Sequence, residues 1–239
     1  MTEVVRYTIK DAIALVSVDN PPVNTLTREV RAGLKQSFEA LRGKDVKAIV
    51  LACAGKTFLS GGDMREFETG VQEPGYHEVL RLIEDSAVPV VAAVHGTVMG
   101  GGVETAIACH YRIAAEGTRF GFPEITLGII PGAGGTQRMP RLIGLEPALD
   151  MMLSGKPLSA AQARDAGFVD AVVSADLIEC ALAYARDLLA MGAGPRRTRE
   201  RSVAGGEKVA AVIAARRAQA DKTMRNRNSP KVLLDAVEA

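Results

Sequence analysis

Two short runs near the N-terminus, VVRYTI at 4–9 and AIALVSV at 12–18, are rich in β-branched and apolar residues, and the Lys10-Asp11 pair between them predicts a β-hairpin. Asn20-Pro21-Pro22 then imposes a rigid turn. From Thr27 the period changes. Val30, Leu34, Phe38 and Leu41 recur at helical spacing, so 27–42 is predicted as an amphipathic helix with Thr27 as its N-cap. Residues 46–53 read as a buried strand. A helix over 75–86, a strand over 88–94, a glycine cluster, a helix over 102–109 and a strand over 111–115 continue a strand-strand-helix rhythm, which predicts a layered α/β fold. Past Gly128 the pattern turns helical, with segments near 134–143, 145–153, 159–165 and 175–191 and a largely helical stretch over 196–231.

Composition narrows the classes. A chain of 239 residues with 47% hydrophobic content can bury a core without disulfide or metal staples. Three cysteines, widely spaced in apolar runs, fit reduced core thiols rather than a disulfide framework. No stretch approaches the ~20 apolar residues of a membrane span, and MTEVVRYTIKD does not read as a secretory leader, so a cytoplasmic location away from membranes is expected. The formal net charge of +1 gives no global attraction to nucleic acid. Locally the balance shifts: residues 195–231 carry eleven Lys and Arg against three Asp and Glu, whereas residues 1–194 are net acidic. With a break near 192–195, this predicts a core over 1–194 followed by a basic helical segment over 195–239.

Two glycine loops follow predicted strands, FLSGGDM at 58–64 and GTVMGGGVE at 96–104. Glycines at such junctions let backbone N–H groups approach a ligand and can supply donors to an oxyanion. Commoner glycine motifs do not fit. Gly55-Lys56-Thr57 ends like a phosphate-binding P-loop, but the glycine required five residues earlier is Val50. The run Gly132-Ala133-Gly134-Gly135-Thr136-Gln137 lacks the last glycine of a dinucleotide fingerprint. Ser60 is outside a G-x-S-x-G elbow, and His77, His95 and His110 have no metal-ligand spacing, so no metal is expected. Two carboxylates remain, Glu104 at the start of the helix after the second loop and Glu124 in FGFPEI, both among apolar neighbours. Burial raises a carboxyl pKa, and two carboxyls sharing one site can hold a single proton near neutrality, as acid–base work on water requires.

Four segments in order carry a resemblance: NPPVNTL (20–26), FLSGGDMREF (58–67), PVVAAVHGTVMGGGVETAIACHYRIA (89–114) and FGFPEITLGIIPGAGGTQRMPRLIG (120–144). Over 4–173 the chain resembles the crotonase, or enoyl-CoA hydratase/isomerase, superfamily, most of all the hydratase portion of multifunctional fatty-acid oxidation enzymes. The resemblance implies a spiral of ββα units with a helical C-terminal region, a homo-oligomer (trimer or hexamer) and an acyl-CoA thioester as substrate, with coenzyme A part of the substrate and no separate cofactor. The implied activity is reversible hydration of 2-enoyl-CoA in fatty-acid β-oxidation. The oxyanion hole falls on the N–H groups of Gly62 and Gly101, the acid–base pair on Glu104 and Glu124, and a water-positioning N–H on Gly132. Ser60, Gly62, Asp63, Met64, Arg65 and Gly101 are expected at the substrate, and Phe122 in the acyl pocket. The alternatives are a 3,2-enoyl-CoA isomerase, and a non-catalytic acyl-CoA or RNA binder using the basic segment. The absence of aromatic stacking residues from that segment argues against specific nucleic-acid binding.

Overall fold

Alternation decides which residues face which layer. In the strand Ala48–Cys53, Ile49, Leu51 and Cys53 enter one apolar cluster while Ala48, Val50 and Ala52 enter another, because successive side chains of a strand point to opposite faces. Both faces of this strand are therefore covered, as a parallel sheet requires. The computed structural model describes residues 3–203 and 208–239.

The elements run β1 (Val5–Lys10), β2 (Ile13–Val18), α1 (Arg28–Leu41), β3 (Ala48–Cys53), α2 (Glu66–Thr69), α3 (Tyr76–Glu84), β4 (Val90–Val94), β5 (Thr97–Met99), α4 (Gly101–Ala108), β6 (Tyr111–Ala115) and β7 (Arg119–Gly121). A 3₁₀ turn (Pro123–Leu127) follows, then α5 (Gly135–Ile143), α6 (Leu145–Ser154), β8 (Leu158–Ser159), α7 (Ala160–Asp165), β9 (Ala171–Val173), α8 (Leu177–Ala190), a second 3₁₀ turn (Thr198–Glu200), α9 (Lys208–Thr223) and α10 (Ser229–Glu238). The main sheet has six strands in the order β1-β2-β3-β4-β6-β9; β1 and β2 form the antiparallel hairpin and every later pairing is parallel. A second sheet of three strands has the order β5-β7-β8. Successive turns place one strand in the large sheet and a short one beside it: β4 then β5, β6 then β7. Leu26 and Gly62 make the corresponding parallel bridge in the two earlier turns. This is the expected spiral of ββα units.

The larger cluster lies between the main sheet and α1, α3, α4, α5 and α6, while α8 covers the opposite face with Ala181, Ala185 and Leu188. The predicted helix at 27–42 is α1, and Thr27 caps it through a side-chain contact to the Val30 N–H. Strands β5, β7, β8 and β9, two or three residues each, had no periodic signal, being shorter than an alternation needs.

The C-terminal region departs from the expected helix over 196–231. Residues 196–203 form only a short 3₁₀ turn, because their arginines hold the backbone against the core. Arg196 donates to Asp170 at 2.5 Å and to the His110 carbonyl, and Arg197 Nε donates to the Glu84 carbonyl at 3.1 Å. The part of the expectation at 204–207 lies outside the described residues. Further on, Ile213 of α9 and Leu233 and Leu234 of α10 join the larger cluster. Much of the local positive charge is answered from within: Arg199 pairs with Asp85, Arg216 with Asp150, and Arg217 with Asp235 and Glu238. Among the described residues no helix is long and apolar enough to cross a membrane, and no cluster of His, Cys, Asp and Glu is placed to hold a metal.

Candidate active site

The NPPVN segment is the scaffold of the first glycine loop. Asn24 Nδ2 donates to the carbonyls of Ala54 and Thr57 at 2.7 and 2.8 Å, and the Leu26 N–H donates to the Gly61 carbonyl at 2.9 Å. The second loop turns at Gly100, whose φ of +50° favours glycine, and its N–H donates to the Gly121 carbonyl at 2.9 Å. The loops touch: a Cβ on Gly102 would run into the Leu59 carbonyl, and a Cβ on Gly101 would lie 3.4 Å from the Gly62 nitrogen. Gly62 and Gly101 thus stand side by side. Among the described residues neither N–H has an acceptor, and both glycines border a cavity of about 530 Å³.

Glu104, one turn into α4, is 3% exposed and faces this cavity. Its Oε1 accepts the N–H groups of Ala133 and Gly135, each at 2.7 Å, from the loop that leads into α5. A Cβ on Gly135 would sit 3.0 Å from that oxygen, so the close approach requires glycine. Burial raises the Glu104 pKa, opposed by the two amides and by Arg138.

Glu124, in the 3₁₀ turn, is 9% exposed and also faces the cavity. A Cβ on Gly100 would come within 2.5 Å of its Oε1, and its buried Oε2 has no hydrogen-bond partner. Burial first, and the neighbouring Glu104 charge after it, push its pKa up to about 7. The two acids differ in one respect: protein donors hold the charged form of Glu104, and none answers the buried oxygen of Glu124.

Ser60, Gly62, Asp63, Met64, Gly101, Glu104, Glu124 and Gly132 all line the cavity. Gly132 borders it, but the donors to Glu104 are Ala133 and Gly135. Arg65 and Phe122 are not in the wall. Arg65 projects into solvent and pairs with Asp63 at 2.7 Å. Phe122 is fully buried behind the wall, with its ring edge against Gly135. The rest of the wall includes Val71, Leu127, Ile129 and Ile130, a patch suited to an apolar chain, together with Tyr76 and His77. The sequence pattern did not place these residues at the site, and His77 was considered only as a metal ligand. The available signals were the apolar Val71 standing among polar neighbours, the apolar run of Leu127, Ile129 and Ile130 directly after Glu124, and the free N–H groups expected where PGAGG opens a helix. His110 is a packed residue: its Nδ1 accepts the Val90 N–H at 3.0 Å, and burial pushes its pKa down to about 4.

The family described as Enoyl-CoA hydratase/isomerase matches residues 8–226. The peroxisomal bifunctional enzyme of Danio rerio is 38% identical over 97% of this chain and 32% of its own length. The Arabidopsis thaliana peroxisomal fatty acid beta-oxidation multifunctional protein MFP2 is 40% identical over 95% of this chain and 33% of its own length. This chain thus spans about a third of the length of these relatives. Their names are peroxisomal, so the cytoplasmic location expected above finds no support in them. Among solved structures, the enoyl-CoA hydratase of Bacillus anthracis matches with a TM-score of 0.73 at 29% identity, covering 98% of this chain and 91% of that one. The spiral of strands, the paired glycine loops and the sequence match agree, and the chain belongs to the enoyl-CoA hydratase/isomerase family.

Proposed function

We propose that this protein adds water reversibly across the 2,3 double bond of 2-enoyl-CoA thioesters to give 3-hydroxyacyl-CoA. The observation that carries the reading is the facing of two elements across one cavity: a pair of adjacent, unbonded amides at Gly62 and Gly101, and a pair of buried carboxyls at Glu104 and Glu124. Attack of water at C3 builds enolate charge on the thioester oxygen. Two N–H groups aimed at that oxygen favour the transition state over the substrate.

The carboxyls divide the proton work. Glu104, whose charged form is held by the Ala133 and Gly135 amides, takes a proton from water. Glu124, without a donor on its buried oxygen and with a pKa of about 7, delivers a proton to C2. Gly132 at the cavity edge contributes to seating the water, and Ser60, Asp63 and Met64 line the approach for the CoA thioester. The apolar wall of Val71, Leu127, Ile129 and Ile130 takes the acyl chain. Coenzyme A enters as part of the substrate and no further cofactor is required.

The decisive test follows loss of the conjugated thioester absorbance of 2-butenoyl-CoA and of a long-chain 2-enoyl-CoA. Rapid loss that disappears in the Glu104→Gln, Glu124→Gln double variant is the expected result. A protein that converts 3-enoyl-CoA to the conjugated isomer without forming 3-hydroxyacyl-CoA would instead be an isomerase. CoA-ester binding without either conversion would make it a binder.

A further inference from the structure

We propose that Tyr76 is a positioning residue for this site: its hydroxyl, held by the buried Arg31–Glu66 pair, sets the direction of the Gly62 N–H and is the reason position 62 carries no side chain. The proposal rests on the reading of Gly62 as an oxyanion donor.

Arg31 is a charged residue on the core face of α1, fully buried at 0% exposure. Its guanidinium has five N–H donors, and all are used. Nε donates to the Pro74 carbonyl at 2.7 Å. Nη1 donates to the Leu26 carbonyl at 2.8 Å and to Glu66 at 2.9 Å, and Nη2 to Glu66 and to the Gln72 carbonyl, both at 2.7 Å. A bidentate Arg–carboxylate pair of this kind fixes both partners in one geometry. Glu66 in turn accepts the Tyr76 hydroxyl at 2.8 Å, and the guanidinium lies 4.3 Å from the centre of the Tyr76 ring.

The hydroxyl so held accepts the Asp63 N–H at 3.1 Å. Leu26, bonded to Arg31 through its carbonyl, forms the backbone bridge to Gly62. The peptide units on both sides of Gly62 are therefore tied to one buried cluster, leaving the Gly62 N–H free toward the cavity. A Cβ on Gly62 would meet the Tyr76 hydroxyl oxygen at 3.0 Å and its ring carbon at 3.4 Å. Gly62 is outside the left-handed region, so its backbone admits alanine; the obstacle is the hydroxyl, and Glu66 and Arg31 prevent it from yielding.

The test is a double-mutant cycle of Gly62→Ala and Tyr76→Phe, read by 2-butenoyl-CoA hydration and by hydrogen exchange of the 61–63 backbone amides. Tyr76→Phe is expected to lower kcat about tenfold with KM within about twofold, and Gly62→Ala to lower kcat about a hundredfold, the scale of a misaligned oxyanion donor. The double variant should exceed Gly62→Ala alone, because phenylalanine removes the atom that the methyl group meets. Losses that simply add would overturn the proposal, as would a Tyr76→Phe loss confined to KM. Exchange at Asp63 should be faster in Tyr76→Phe, and an unchanged rate would overturn the proposal independently of activity. If the wild-type protein hydrates nothing, the hydratase reading falls while the exchange comparison still decides the role of Tyr76.

Discussion

Glu84, at the end of α3, and Glu124, in the 3₁₀ turn, are both buried carboxylates, and only one has its charge answered. Glu84 is 0% exposed. Its Oε2 accepts Arg138 at 2.8 and 3.1 Å, its Oε1 accepts the Arg199 N–H at 2.9 Å, and the Arg199 guanidinium stands 3.7 Å from Oε2. Glu124 has a buried oxygen with no donor and an open cavity in front of it. A buried charge surrounded by donors joins elements together; here it ties α3 to α5 and to the residues after Pro195. A buried carboxyl without donors, beside a cavity, holds a proton that it can pass to a ligand. Burial is common to both positions, so the partners decide the role.

The sharpest way to break this contrast is to neutralise each acid. Glu104→Gln and Glu124→Gln should each lower kcat for hydration by about 10²–10⁴ with the fold retained. Near wild-type turnover in Glu124→Gln would remove it as the acid. Glu84→Ala should do the reverse, costing about 3–5 kcal/mol in denaturant unfolding, because it strands Arg138 in a largely buried place. An unfolding midpoint close to wild type would mean that the Glu84 cluster does not hold the C-terminal region.

Proton linkage sharpens the contrast at intermediate scale. The folded pKa of Glu124, about 7, lies above its ordinary 4.5, so the folded state binds the extra proton between those values. Its contribution to stability is full below about pH 4.5 and is lost as pH rises through about 7. Glu124→Gln should therefore gain stability relative to wild type between pH 5 and pH 8, on the order of 2–3 kcal/mol. Thermal or urea unfolding across that range checks it, and a pH-independent difference would contradict the shift. The same ionisation should reduce kcat/KM for hydration above about pH 7, since the acid is then deprotonated. The smallest effect belongs to the surface: Arg216→Gln, which removes the pair between the partly exposed Arg216 and the exposed Asp150, should change stability by less than about 1 kcal/mol.

The legible part of the fold lay in elements long enough to show a period. Strand β3 and helix α1 occur within two residues of their predicted bounds, because burial on both faces and a single apolar stripe leave different patterns. The reading of 196–231 as mostly helical failed at its start, where Arg196, Arg197 and Arg199 have specific partners in the core that no periodicity records. Arg31 falls beside Val30 on the core face of α1, and acceptors on Glu66, Gln72 and Pro74, 35 to 43 residues away, together with the nearby Leu26 carbonyl, make it a core residue.

From the sequence alone came the alternation of strands and helices, the two glycine loops, and Glu104 and Glu124 among apolar neighbours, because local period and residue chemistry record these directly. The tertiary structure alone decided that Ala133 and Gly135 hold Glu104, that Phe122 lies behind the wall, and that the Tyr76 hydroxyl faces Gly62. Each is a contact between segments from 13 to 31 residues apart. At such separations the direction of an N–H or a side chain depends on how the layers pack, and a linear pattern carries no record of it.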